Sequence, residues 1–82
     1  MPEPETLLQI KTSFRGREKL IDCLYSQSEE FQSLCTDYCE CAITLDRWRQ
    51  RDTAEALLLQ EEYSQLLIEL DREIEAWLQA VE

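Results

Sequence analysis

The sequence predicts an all-α protein: an antiparallel helical hairpin with additional short N-terminal helices and coiled-coil-like packing. Apolar residues recur every three or four positions along two long stretches, which is the period of one helix face. The 82 residues include only one Gly and two Pro, so little interrupts a helix. A hydrophobic fraction of 44% beside a charged fraction of 32% is typical of a globular chain. We therefore expect one small helical domain over residues 1–82.

The N-terminal part, residues 1–25, is predicted to form short helices. Up to about residue 12 the sequence predicts an amphipathic turn or two, with apolar Leu7, Leu8 and Ile10. Gly16 follows, and a single Gly between helical stretches fits a loop or cap position with positive φ. A second short helix is expected from residue 17 to about residue 25. Its apolar side chains share one face: Leu20, Ile21 and Leu24.

The first long helix of the hairpin is predicted within residues 26–51. Ser26 followed by Glu29 has the spacing of a capping box, which marks a helix start. The apolar stripe that follows has heptad-like spacing: Phe31, Leu34, Tyr38, Cys41, Leu45 and Trp48. Three arginines, at positions 47, 49 and 51, suit the negative end of the helix dipole.

The second long helix is predicted within residues 52–82, after another capping box formed by Asp52 and Glu55. Its stripe consists of Tyr63, Leu67, Leu70, Ile74, Trp77 and Val81. Two helices of similar length with a short connection pack antiparallel. This pairing sets Phe31 opposite Ile74 and leaves Trp77 to be covered by the N-terminal helices.

The apolar surface of the last helix is wider than a two-helix seam needs, so it predicts a docking surface. The residues expected to form it are Leu57, Leu66, Leu70, Ile74, Trp77 and Leu78. The N-terminal helices, another protein or a second copy in a homo-oligomer are the alternatives for what covers them. The function predicted is therefore a non-enzymatic protein-interaction or adaptor module whose partner the sequence does not identify.

Cysteines at positions 23, 35, 39 and 41 provide the alternative function, a small metal- or redox-responsive protein. Cys35 and Cys39 share a helix face because they are four residues apart, whereas Cys41 belongs to the apolar stripe. Structural zinc sites use closer Cys-x-x-Cys pairs on turns, and this spacing differs from them. We therefore expect thiols that pack as small apolar side chains, with no metal bound.

Composition and charge narrow the possible partners, activities and locations of the protein. A net charge of −10 argues against nucleic acid or an anionic membrane as partner. The chain has no His, so it lacks the usual general base, and we expect no enzyme activity and no cofactor. The first six residues have no signal-peptide order, and the longest apolar runs are three residues. A cytoplasmic location is expected on these grounds.

From residue 14 onward the chain resembles a group of small, uncharacterised bacterial helical-hairpin proteins with no assigned activity. The residues that carry the resemblance are Phe14-x-Gly16-x-Glu18, Leu20-Ile21, Phe31-x-x-Leu34-Cys35-x-Asp37-Tyr38-x-Glu40-Cys41, Leu45-x-x-Trp48, Glu62-Tyr63-x-x-Leu66 and Glu69-Leu70-x-x-Glu73-Ile74. The resemblance implies a bacterial, cytoplasmic protein with a helical hairpin. It implies nothing about mechanism.

Overall fold

A computed structural model describes residues 4–81. It confirms the all-α prediction, with no strand in that range. The four helices are α1 (Glu5–Ser13), α2 (Glu18–Gln27), α3 (Glu29–Arg49) and α4 (Ala54–Ala80). Residues 1–3 and 82, and the ends of the predicted segments that fall on them, lie outside the described residues. No helix within the described range has the length and apolar character needed to cross a bilayer.

Both long helices begin later than their predicted capping boxes. The hydroxyl of Ser28, and not that of Ser26, accepts a hydrogen bond from the backbone N–H of Phe31 at 3.1 Å. Ser26 lies inside α2, which continues to Gln27, and its hydroxyl donates to a carbonyl of its own helix. A Ser inside the last turn of one helix imitates the cap of the next in sequence, because both positions precede an apolar stripe.

The N-cap of α4 lies one residue after the predicted Asp52. The hydroxyl of Thr53 accepts from the backbone N–H of Ala56 at 3.1 Å, so Thr53 and not Asp52 is the N-cap. Both residue types can cap a helix, and the backbone conformation of the connection decides between them. The four residues 50–53 between the helices keep the connection short.

Helices α3 and α4 form the predicted antiparallel hairpin. The Phe31 and Trp77 rings lie 5.7 Å apart between centroids, far from the turn. Nearer the turn, the Cys41 thiol lies 3.4 Å from the Tyr63 carbonyl oxygen. The Gln60 side-chain amide donates to the carbonyl of Trp48 at 2.9 Å. These pairs run in opposite directions along the two helices, which fixes the antiparallel order.

Helices α1 and α2 pack on one side of the hairpin, at the end away from its turn. Gly16, with φ of 89°, supplies the bend between them that other residues rarely adopt. An ion pair between Arg17 and Glu75 joins this unit to α4. The shared core consists of Leu7, Ile10, Phe14, Ile21, Leu24, Phe31, Leu34, Cys35, Cys39, Ile74 and Leu78. Around the turn, residues 4–81 contribute only the two helices of the hairpin, with Cys41, Leu45 and Ala56 buried between them.

The role of α1 is larger than the sequence indicated. The predicted turn or two is a nine-residue helix, and its Ile10 is completely buried. Phe14, just after the helix, packs against the Tyr38 ring with centroids 5.7 Å apart. Because these contacts join residues far apart in the sequence, helical periodicity over so short a segment could not reveal them.

Candidate protein-docking face

A groove runs between α3 and α4 on one side of the hairpin. Its lining, here called the open groove, consists of Asp37, Glu40, Cys41, Thr44, Tyr63, Leu66 and Leu70. The groove encloses about 340 Å³ and continues towards the turn past Arg47, Trp48 and Arg51. The residues from each helix are spaced by three or four, which is why they form one continuous surface.

The open groove lies on the side of the hairpin opposite α1 and α2. Cys35 faces the core that those two helices close. Thr44 comes nine residues later, and nine residues at about 100° each carry the chain two and a half turns around the helix axis. Thr44 and the groove therefore point away from α1 and α2. Nothing within residues 4–81 covers this side of the hairpin beyond α3 and α4 themselves.

The six residues predicted to form one docking surface lie in three different places. Leu66 and Leu70 line the open groove, Leu66 with 42% of its surface exposed. Leu57 is 59% exposed, but it precedes Leu66 by nine residues and so lies on the other side of α4. Ile74 is completely buried in the core.

The two remaining predicted residues also belong to the four-helix end. Leu78 is completely buried, and the half-buried Trp77 packs against Phe31. The extra apolar width of α4 therefore has two uses. Its C-terminal half packs against α3 within the core that all four helices share, and its N-terminal half leaves leucines at the surface.

Charge is distributed unevenly along the open groove. Arg47 and Arg51 lie at the turn end, where the Arg51 guanidinium is 5.0 Å from the centre of the Trp48 ring. Asp37 and Glu40 lie at the other end. The groove therefore has an apolar floor with a basic end and an acidic end.

Sequence reasoning assigned these polar residues differently. Arg47 and Arg51 were predicted only to suit the C-terminal end of the helix dipole, and Asp37 and Glu40 received no role. The signal that was present is their spacing, since positions 37, 40, 44, 47 and 51 follow each other by three or four along one side of α3. That row is polar, so a search for apolar stripes does not detect it.

The cysteines do not form a common site. Cys35 and Cys39 face the α1 side, the Cys39 thiol lying 3.8 Å from the carbonyl of Thr6, whereas Cys41 faces α4. Burial, with the neighbouring Cys39, raises the pKa of the Cys35 thiol to about 12. Burial also raises the pKa of Cys39 and of Cys41. Within the part of the chain that the structure describes, no three potential ligands come close enough to hold a metal ion.

Comparison with known proteins adds no relative to this picture. No family model matches the chain, and no curated protein or solved structure matches it either. The resemblance to small bacterial helical-hairpin proteins therefore stays a prediction, and function has to be inferred from the groove itself.

Proposed function

We propose that the protein is a non-enzymatic interaction module that binds an amphipathic helix in the open groove. The observation that carries the proposal is the uncovered α3–α4 groove, with Leu66 exposed on the side that α1 and α2 leave bare. Helices of a folded domain bury their apolar stripes, and an apolar surface left open is typical of an interaction site.

The shape of the groove favours a helix as its occupant. Two antiparallel helices present parallel rows of side chains, and a third helix packs its ridge between them. Tyr63, Leu66 and Leu70 line the groove at spacings of three and four, which matches the spacing at which a bound helix presents its apolar anchors. The charged residues at both ends of the groove would fix the direction of the bound helix.

A cytoplasmic location is part of the proposal. All four cysteines are free thiols, which is the state that a reducing compartment maintains. The cysteine-based alternative has less support. Cys35, Cys39 and Cys41 face two different sides of α3, and their raised pKa values lower the fraction of reactive thiolate at neutral pH.

Site-specific photocrosslinking in the cells that make the protein tests the proposal. A photoreactive amino acid at position 66 lies in the groove, and the same residue at position 57 provides a matched control. Both positions carry exposed leucines on α4, on opposite sides of the helix. We expect a protein adduct at position 66 that is absent or much weaker at position 57.

Two results would overturn the proposal. One is the absence of any protein adduct at position 66 while the protein is folded and abundant. The other is equal labelling at positions 66 and 57, which would show that exposure alone, and not the groove, determines the contacts.

A further inference from the structure

We infer that the partner at the open groove is the same face of a second copy of this chain, turned antiparallel, so that two hairpins form a four-helix dimer. The inference rests on the proposed function, because it names the partner for the same groove. Its basis is the pattern of charge along α3, which is complementary to itself when reversed.

Charges of opposite sign lie at nearly equal distances before and after Thr44 along α3. Asp37 lies seven residues before Thr44, and Arg51 lies seven residues after it. Glu40 lies four residues before, and Arg47 lies three residues after. At 1.5 Å per residue, the outer pair is about 10 Å from Thr44 on either side. Arg51 follows the end of α3, and its backbone N–H still bonds to the Trp48 carbonyl at 3.1 Å.

A two-fold axis through Thr44, perpendicular to α3, exploits this symmetry. It sets α3 of one copy antiparallel to α3 of the other, and α4 antiparallel to α4, with Arg51 level with the second copy's Asp37. It also sets Arg47 level with the second copy's Glu40. Each contact occurs twice because the interface is isologous. Charges arranged in this way select orientation and register, while the apolar floor supplies the affinity.

The other two-fold arrangement of the same grooves leaves the acidic end of α3 without a cation. An axis parallel to the helices sets α3 of one copy against α4 of the other at the same height. Asp37 then faces the acidic stretch of α4 that includes Glu69, and like charges repel there. Since residues 52–82 carry nine acidic residues and one basic residue, α4 offers few cations to any partner surface. Asp37 and Glu40 therefore find cations only at the basic end of another α3.

The rest of the fold leaves room for this dimer. Helices α1 and α2 occupy the opposite side of the hairpin and do not obstruct the groove. Two helices of ordinary diameter present a flat projection of roughly 20 Å by 20 Å, about 400 Å² on each copy. Stable interfaces bury about 800 Å² per partner, and the facing acidic α4 helices repel each other, so the dimer is expected to be weak and concentration-dependent.

Sedimentation equilibrium of the purified full-length protein, over roughly 5 to 500 μM, provides the first test of a dimer of this size. The wild type is expected to pass from monomer to dimer within that range. Leu66→Glu places a charge in the groove and is expected to weaken association by at least about tenfold. Leu57→Glu makes the same change on the opposite side of α4 and is expected to associate like the wild type. Far-UV circular dichroism of dilute samples checks that both variants are folded.

Charge reversal provides the second test. One variant carries Arg47→Glu with Arg51→Glu, and the other carries Asp37→Arg with Glu40→Arg. Each variant alone sets like charges together in the antiparallel dimer and is expected to associate at least about tenfold more weakly. An equimolar mixture restores both complementary contacts and is expected to recover association to within about threefold of the wild type.

The outcomes separate this inference from the proposed function. A wild type that remains monomeric at 500 μM, roughly the top of the range set for a weak interface, overturns the second-copy inference. A mixture of the two charge variants that associates no better than either alone overturns the antiparallel arrangement. In both cases a crosslink at position 66 to a different protein leaves the proposed function standing. No crosslink to any protein at position 66 overturns both.

Discussion

The packing of α4 predicts that two isoleucines on that helix differ sharply in their effect on stability. Ile74 is completely buried in the four-helix core, whereas Ile68 is 46% exposed. Both lie inside the same helix, so truncation to Ala changes the helix propensity equally at the two positions. The comparison therefore isolates the contribution of burial.

The expected magnitudes follow from the exposed fractions. Changing Ile to Ala removes three carbon atoms, worth about 2.4 kcal/mol of transfer free energy when fully buried. The cavity left in the core adds to this, so Ile74→Ala is expected to lower the free energy of unfolding by about 3 to 4 kcal/mol. Ile68 keeps about half of its surface in water, and the higher helix propensity of Ala offsets a few tenths. Ile68→Ala is expected to cost about 1 kcal/mol or less.

Urea unfolding followed by circular dichroism at low micromolar concentration measures both values, with the slope m checked for constancy. If the small domain is too unstable to tolerate Ile74→Ala, then Ile74→Val is expected to lower the free energy of unfolding by about 1 kcal/mol. Equal losses for the two Ala variants would refute the assignment of Ile74 to the core and of Ile68 to the surface.

Three further predictions concern the thiols and the caps. Ellman's reagent is expected to label exposed Cys23 rapidly and the other three cysteines only on unfolding; rapid labelling of all four would contradict their burial. Because the raised pKa of Cys35 favours the neutral thiol in the folded state, its contribution to stability is complete below about pH 9 and is lost as pH rises towards 12; Cys35→Ala is expected to reduce the decline in unfolding free energy over that interval. Ser28→Ala is expected to lower the free energy of unfolding by about 1 kcal/mol, and the control Ser26→Ala by less than about 0.5 kcal/mol. A larger loss for Ser26→Ala than for Ser28→Ala would show that Ser26 is the N-cap of α3.

Helix periodicity predicted the hairpin because its core repeats every three or four residues. Phe31 and Leu45 on α3 are buried as their stripe predicts. The same reasoning placed Ile74 on a docking surface, because an apolar residue on a wide stripe has the same pattern whether its partner is α1, α2 or another chain. Only the tertiary arrangement of the N-terminal helices decides between these partners.

The sequence predicted the α4 side of the open groove but not its α3 side. Leu66 and Leu70 were predicted to dock a partner, since their helix carries more apolar surface than one seam needs, and both line the groove. The α3 side of the groove contains Thr44 in a row of polar residues. Hydrophobic periodicity cannot detect a polar row. The relation between Asp37 and Arg51 becomes meaningful only when the groove shows that both point to the same side.

A cysteine placed at the expected two-fold axis tests the antiparallel dimer most directly. In this dimer Thr44 lies opposite Thr44 of the second copy, and helices 8 to 10 Å apart bring such facing Cα atoms within about 7 Å, the range of a disulfide. In a Cys23→Ser background, Thr44→Cys is predicted to form a covalent dimer on mild oxidation. The neighbouring Ile43→Cys, 47% exposed beside α1, is predicted to remain monomeric. A Thr44→Cys protein that stays monomeric, or an Ile43→Cys protein that crosslinks equally well, would contradict the arrangement.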